Sequence, residues 1–299
     1  MAFDRIGVAV VALACGATLA AQPAFRSGVD LVTVPVTVTP RDATYRVGEL
    51  GPSDFRIFED GVRQQLALVS HQPRPISLCI LLDSSPSMAS GRQRLAIRTV
   101  DTLLQSLRTD DEATLLFFSS KVRVAFPWTR APDLQPVSWL QWRLSLGTAL
   151  IDAIKESLRL IEQARNPLPV IVAVSDGGEN SSGTTLAGLA ASRRQSETLI
   201  YGVHTDLPPS KTAPPLNRAF ADFLPDLVGN SGGTVYSVRT PEAGEQAARA
   251  LLEELRSQYT LGYVPTRPAD GTYRTLKIES SNPSVVLRHR GGYLAAPIP

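Results

Sequence analysis

The period of the apolar positions changes twice along the chain. From Leu31 to Thr39 the run LVTVPVTVT alternates strictly, with Val32, Val34, Val36 and Val38 on one face and Thr33, Thr37 and Thr39 on the other. That pattern predicts a half-buried strand of an antiparallel sheet. DFRIFEDGVRQQLALV then sets Asp60 and Gly61 between two strand-like runs, a strong hairpin signal. Pro73 and Pro75 punctuate the chain before the second regime begins.

From Ile76 to about Ser257 strand-like and helix-like patterns alternate. The runs ISLCILLD, EATLLFFSS, VRVAF, LPVIVAVSD, TLIYGVHTD and TVYSV are mostly too continuously apolar to have a wet face. Between them, helical spacing appears at Ala96, Val100, Leu103 and Leu107, at Leu150, Ile151, Ile154, Leu158 and Ile161, and at Ala247, Leu251 and Leu255. Strands buried on both faces and separated by helices predict an α/β fold, a doubly wound, mostly parallel six-stranded sheet flanked by helices.

After Leu255 the strand period returns in QYTLGYVP, YRTLKIES and SVVLRHR, with turn signals at Ala269-Asp270-Gly271 and Ser281-Asn282-Pro283. Neither terminal β-rich region is long enough to fold comfortably alone. The N- and C-terminal segments are therefore expected to pair into one small antiparallel β-structure, with the α/β domain inserted in it. The expected divisions are a leader at 1–21, a β-rich segment at 22–74, the α/β domain at 75–257 and a β-rich segment at 258–299.

Composition narrows the class. With 43% hydrophobic and 19% charged residues and a formal net charge of +2, the chain reads as folded, and no run of like charges suggests nucleic acid as a partner. The start, MAFDRIGVAVVALACGATLAAQ, places Arg5 before an apolar run and small residues around Ala17, Ala20 and Ala21. It reads as a secretory signal peptide, too short to span a bilayer, with cleavage expected near Ala21 or Gln22. VALAC loosely resembles a lipoprotein site at Cys15, but Leu13 is one place too late for that pattern. The expected location is periplasmic or secreted. Cys79, the other cysteine, falls inside an apolar strand and reads as a small core residue, with no internal disulfide.

The chemistry concentrates at strand ends. Asp83, with Ser85 and Ser87 behind it, closes the first strand of the α/β domain, and Asp176 closes the fourth in VIVAVSDGGEN. If winding reverses between those strands, their carboxyl ends are neighbours, where ligands bind in open α/β sheets. Gly147 and Thr148 open the helix TALIDAIKESLRLIEQA on the same side. Asp83, Ser85, Ser87, Thr148 and Asp176 offer only oxygen, which favours a hard cation, Mg²⁺, Mn²⁺ or Ca²⁺, over zinc. Two carboxylates balance a divalent ion, and three hydroxyls add ligand atoms without charge, so the ion stays electrophilic toward an outside carboxylate.

This ordered set resembles the metal-ion-dependent adhesion site of von Willebrand factor type A domains, with a similarity extending over roughly Pro75 to Arg256. The flanks DFRIFEDGVRQQL and YTLGYVP, with RHRGGYLAAP after them, resemble a family of exported von Willebrand A-related proteins known mostly from acidobacteria. The resemblance implies that Ser85, Ser87 and Thr148 bind the ion largely directly, that Asp83 and Asp176 act closely or through water, and that a ligand carboxylate completes the shell. Pro86 departs from the small residue usual between the two serines and is expected to stiffen the loop.

Other features have plainer readings. Leu134, Trp139, Trp142 and Leu146 are spaced as the apolar face of a short helix on the sheet, Trp128 lies just before them, and all three tryptophans precede Thr148. The proline-rich DLPPSKTAPP, residues 206 to 215, follows the fifth strand and reads as a surface connection on the metal side. GNSGG at 229–233 is similar to a serine-protease loop, but it links a helix to a strand and reads as a turn. His71, His204 and His289 have no metal-ligand spacing. Arg193 and Arg194 share a helix whose buried side is expected to hold Leu186 and Leu189. The function expected is an exported, non-enzymatic protein-binding module holding Mg²⁺ and taking an Asp, Glu or terminal carboxylate from a protein partner. Its rivals are a metal-dependent hydrolase with Glu179 as base, and a structural envelope component whose ion has no external ligand.

Overall fold

A computed structural model describes residues 31–42, 46–89, 91–137, 143–207, 223–229 and 231–296. The leader, Cys15, Trp139, Trp142 and most of the 206–215 connection lie outside these residues. The α/β elements run β5 (Ile76–Asp83), α1 (Gly91–Gln105), β6 (Glu112–Phe118), β7 (Val122–Arg130), α2 (Leu150–Ile161), β8 (Leu168–Ser175), α3 (Leu186–Arg194), β9 (Leu199–Thr205), α4 (Phe223–Gly229), β10 (Val235–Val238) and α5 (Pro241–Arg256). Their strands form one six-stranded sheet in the order β10-β9-β8-β5-β6-β7, parallel except for β7.

Strands β5 and β6 are buried along their whole length, and β8 at every residue but Pro169, because their two faces feed two cores. In β5, Leu78, Ile80 and Leu82 join α1 and α5 through Leu95, Val100 and Leu251. Cys79 and Leu81 point the other way, toward Leu150, Ile154 and Leu189 of α2 and α3. At roughly 1.5–3 kcal/mol per fully buried large apolar side chain, this two-sided burial is the main stabilising term. Helices α1 and α5 meet at Gly244, where an added Cβ would stand 2.2 Å from Thr99 Oγ1. A larger residue there would push the two helices apart.

The flanking strands are β1 (Val32–Pro40), β2 (Phe55–Glu59), β3 (Val62–Gln64), β4 (Leu66–Ser70), β11 (Tyr259–Tyr263), β12 (Tyr273–Ser280), β13 (Val285–Arg288) and β14 (Gly292–Leu294). They form two four-stranded antiparallel sheets, β13-β1-β11-β4 and β14-β12-β2-β3, that share a core of Val34, Val36, Ile57, Leu261 and Ile278. N-terminal strands thus pair with C-terminal ones, and the α/β elements are inserted between β4 and β11. The Asp60-Gly61 hairpin forms with both residues at positive φ, 46° and 80°, as a two-residue turn between right-twisted strands requires.

Three expectations need correction. The threonine face of β1 is only partly wet: Thr37 is buried, with its Oγ1 3.4 Å from Glu254 Oε1 and accepting from Gln258 Nε2 at 2.9 Å, while Thr33 and Thr39 stay partly exposed. Leu146 is 79% exposed and Leu186 53% exposed, so neither anchors a helix on the sheet. Leu134 does pack against the core, and Trp128, on β7, is held by its indole N–H to Leu160 O at 3.0 Å. Helix α2 begins at Leu150, two residues later than expected.

Two carboxylates, one partly buried and one buried, fasten the insert. Glu254 of α5 accepts from Tyr201 Oη at 2.6 Å and Tyr236 Oη at 3.2 Å and pairs with Arg288 of β13. Asp111, just before β6, accepts the Ile76 N–H at 2.8 Å and the Arg108 N–H at 2.7 Å, and Arg256 Nη2 lies 3.4 Å from its Oδ2. The first residue of β5 and the last of α5 are therefore held by one side chain.

Candidate functional site

Strands β5 and β8 are parallel neighbours, so Asp83 at the end of one and Asp176 just beyond the end of the other share an edge of the sheet. This is the point at which the winding reverses. Asp83 is fully buried. Its Oδ1 accepts the Ser85 N–H at 2.8 Å and its Oδ2 accepts the Ser175 hydroxyl at 2.6 Å. Pro86 opens a single 3₁₀ turn, Pro86–Met88, whose fixed φ suits a first helical position. The turn brings Ser85 Oγ and Ser87 Oγ to 2.9 Å from each other.

Thr148 arrives from the loop before α2. Gly147 takes φ +79°, and an added Cβ there would come within 2.4 Å of Ser181 Oγ and 2.9 Å of Ser120 Cβ, so only glycine fits. The Thr148 N–H donates to Asn180 Oδ1 at 2.9 Å, and Thr148 O accepts from the N–H groups of Asn180 and Ser181 at 2.9 and 3.1 Å. The missing Cβ of Gly178 marks a point 3.4 Å from Asp176 Oδ1 and 3.7 Å from Thr148 Oγ1. The structure thus brings all five sequence-selected residues to one end of the sheet.

Three further residues shape this cup. Arg92, in the first turn of α1, is buried and donates to Ser87 O at 3.1 Å, Thr205 O at 3.3 Å and Leu207 O. Its Nε stands 3.9 Å from Asp176 Oδ2. Glu179 caps α2, whose own N-cap, Ala149, has no side-chain oxygen: its Oε2 accepts the Ile151 N–H at 2.9 Å and the Ser182 hydroxyl at 2.7 Å. Its Oε1 accepts the N–H groups of Ser181 and Ser182, both at 3.0 Å. Both oxygens of the residue considered as a general base are thus engaged in capping. His204 contributes a ring nitrogen 3.1 Å from Asp176 O. The SDGGENSS sequence carried a signal for the cap, since acidic and hydroxyl residues are the usual partners of helix N-termini.

The electrostatics are strained toward the negative side. Burial, with the neighbouring Asp176 carboxylate adding to it, pushes the Asp83 carboxyl up to about 7 against the opposing hydrogen bonds from Ser175 and Ser85. Asp176 Oδ2 is buried and has no hydrogen-bond partner among the described residues. An unpartnered buried carboxylate oxygen is costly, which fits a donor set built for a cation. Among the described residues no group of three or more His, Cys, Asp or Glu assembles, so the donors at hand are two carboxylates and three hydroxyls. That all-oxygen set suits Mg²⁺, Mn²⁺ or Ca²⁺ and does not suit zinc.

Other sequence candidates settle into structural roles. Ser231 is buried; its Oγ accepts the Ile200 N–H at 2.9 Å and donates to Val228 O at 2.7 Å, binding the turn after α4 to β9. Cys79 is a buried free thiol, pushed up to about 12 by burial. No helix among the described residues is long and apolar enough to cross a membrane.

Residues 78–179 match the family model described as von Willebrand factor type A domain, a span that contains all five cup residues. No curated protein matches the chain. Among solved structures, an aerotolerance-related membrane protein from Bacteroides fragilis is 19% identical, with 60% of this chain and 98% of that one covered and a TM-score of 0.46. A von Willebrand factor type A protein from Catenulispora acidiphila is 18% identical, with 81% and 63% covered and a TM-score of 0.46. The ArnB paralog VWA2 from Sulfolobus acidocaldarius is 15% identical, with 90% and 77% covered and a TM-score of 0.46.

Proposed function

Since the chain carries a von Willebrand factor type A domain, matched over residues 78–179, we propose that it is an exported, metal-dependent protein-binding module. Its cup would hold Mg²⁺, or Mn²⁺ or Ca²⁺, and bind a partner through an Asp, Glu or terminal carboxylate. The observation that carries this reading is the buried Asp176 Oδ2, which accepts no hydrogen bond among the described residues, at an edge where Asp83, Ser85, Ser87 and Thr148 supply the remaining oxygens. A divalent ion held there would supply an electrophilic centre able to attract an outside carboxylate. Ser85, Ser87 and Thr148 set donor geometry, and Asp83 and Asp176 supply charge. Arg92 steadies the loop carrying Ser87 and offsets one of the two carboxylates.

The capping role of Glu179 supports binding over hydrolysis, because a general base needs a free lone pair directed at its proton. Thermal unfolding of the chelated protein against titrated Mg²⁺, Mn²⁺ and Ca²⁺ tests the reading. At a hundredfold excess over Kd the wild type gains about 2.7 kcal/mol, and Thr148→Ala and Asp83→Ala gain much less. Equal responses in wild type and both variants would overturn the assignment of the ion to this cup.

A further inference from the structure

A second site lies near the opposite end of β9, roughly 20 Å from the cup at the usual rise per strand residue. There the last turn of α3 meets Tyr273 of β12 and Gly292 of β14 around a cavity of about 270 Å³. Three guanidinium groups line it: Arg193 and Arg194 from α3 and Arg290 from the segment before β14. Cations in the last turn of a helix ordinarily answer its dipole. That accounts for Arg193 and Arg194 as helix residues, but not for Arg290, which comes from a separate element.

The charges in this cavity are poorly matched. Arg193 is half-buried and makes no side-chain hydrogen bond or ion pair among the described residues, and burial lowers its guanidinium below the usual range. Arg290 is only 4% exposed. It donates through Nη2 to Thr33 O at 3.0 Å and faces Glu197 Oε1 through Nη1 at 2.5 Å, while its Nε has no hydrogen-bond partner among the described residues. Arg194 lies 5.3 Å over the Tyr273 ring and makes no side-chain hydrogen bond or ion pair among the described residues. Glu197, itself 59% exposed, is shared between Arg290 and the field of half-buried Arg74. Arg290 and Arg74 therefore share one carboxylate, and Arg193 and Arg194 pair with none among the described residues. A buried cation with unused donors is costly unless an anion completes it.

We propose that this cavity binds a small dianion of the phosphate class, free phosphate or a phosphomonoester, through Arg193, Arg194 and Arg290. Planar guanidinium forks match phosphate oxygens in pairs, and the volume is at the small end of ligand pockets. The site is independent of the cup, so either assignment can fail alone. The test is calorimetric titration of the chelated protein with inorganic phosphate, balanced with chloride to constant ionic strength. Wild type and Thr148→Ala should bind saturably and alike, and Arg193→Gln and the exposed Arg194→Gln should each bind about tenfold more weakly, one lost charge-assisted contact apiece. A parallel titration with glycerol phosphate separates the sources: tighter binding than phosphate marks an ester, weaker binding marks the free ion. No saturable heat in the wild type, or equal affinity in wild type and both arginine variants, would overturn the proposal.

Discussion

Replacing Glu179 with Ala removes a carboxylate that accepts four hydrogen bonds, from Ile151, Ser181 and the N–H and hydroxyl of Ser182. Ser181 is exposed and Ser182 partly so, and water can serve their donors after the change. The Ile151 N–H is buried in the first turn of α2. Losing one charged hydrogen bond outright and the others in part gives a cost of about 3 kcal/mol. In a protein of this size that lowers the unfolding midpoint by roughly 5 °C. Glu179→Gln keeps one acceptor and should lose about half as much. Because Asn180 and Ser181 also hold Thr148, the Ala variant should bind Mg²⁺ several-fold more weakly. Urea denaturation with and without Mg²⁺ reads both effects. A catalytic base would behave oppositely, its removal leaving stability unchanged or improved. An Ala variant as stable as wild type would refute the cap.

Three other outcomes follow from the same structure. Gly147→Ala must hold a positive φ and push against Ser181 and Ser120, so it should lose about 2 kcal/mol in urea denaturation and weaken Mg²⁺ binding with it. Burial alone would raise the Glu59 carboxyl, but hydrogen bonds from Tyr263 and Tyr293 and the charge of Arg274 outweigh it, leaving the group lower than usual. Its stabilisation is therefore present above the unfolded carboxylate range and lost as pH falls below about 4.5; Glu59→Gln should flatten that acid limb in unfolding measured from pH 5 downward. Ser231→Ala leaves the Ile200 N–H unserved and should cost about 1–2 kcal/mol in the same assay, with Mg²⁺ binding unchanged.

The six-stranded sheet was readable because β5 and β8 are apolar on both alternating faces, at Leu78 to Leu82 and Val170 to Val174, a pattern that only a strand covered on both sides sustains. The cup was readable for a related reason. Its donors sit at strand ends and a helix entrance, and parallel topology alone sends those to one edge. What escaped depends on partners far away in sequence. Thr37 alternates like an exposed residue, yet Glu254 and Gln258, more than two hundred positions later, cover it. Arg92 reads as a helix-face cation until Thr205 and Leu207 are seen to accept its protons. Leu146 and Leu186 carried helical spacing without burial, since apolar residues are also common on surfaces. Short β14 has only three residues to register a period.

The clasp at Asp111 bears on how the chain assembles. Strand β4 must find β11 across about 190 intervening residues, and closing a flexible loop of that length costs about 4–5 kcal/mol of chain entropy. Once the inserted elements have folded, Asp111 fixes Ile76 and Arg256 side by side, and the two flanking strands emerge as neighbours. The pairing of Leu66–Ser70 with Tyr259–Tyr263 then resembles closing a short hairpin. The insert acts as a splint: with its two ends held side by side, the terminal strands have only a short gap to close.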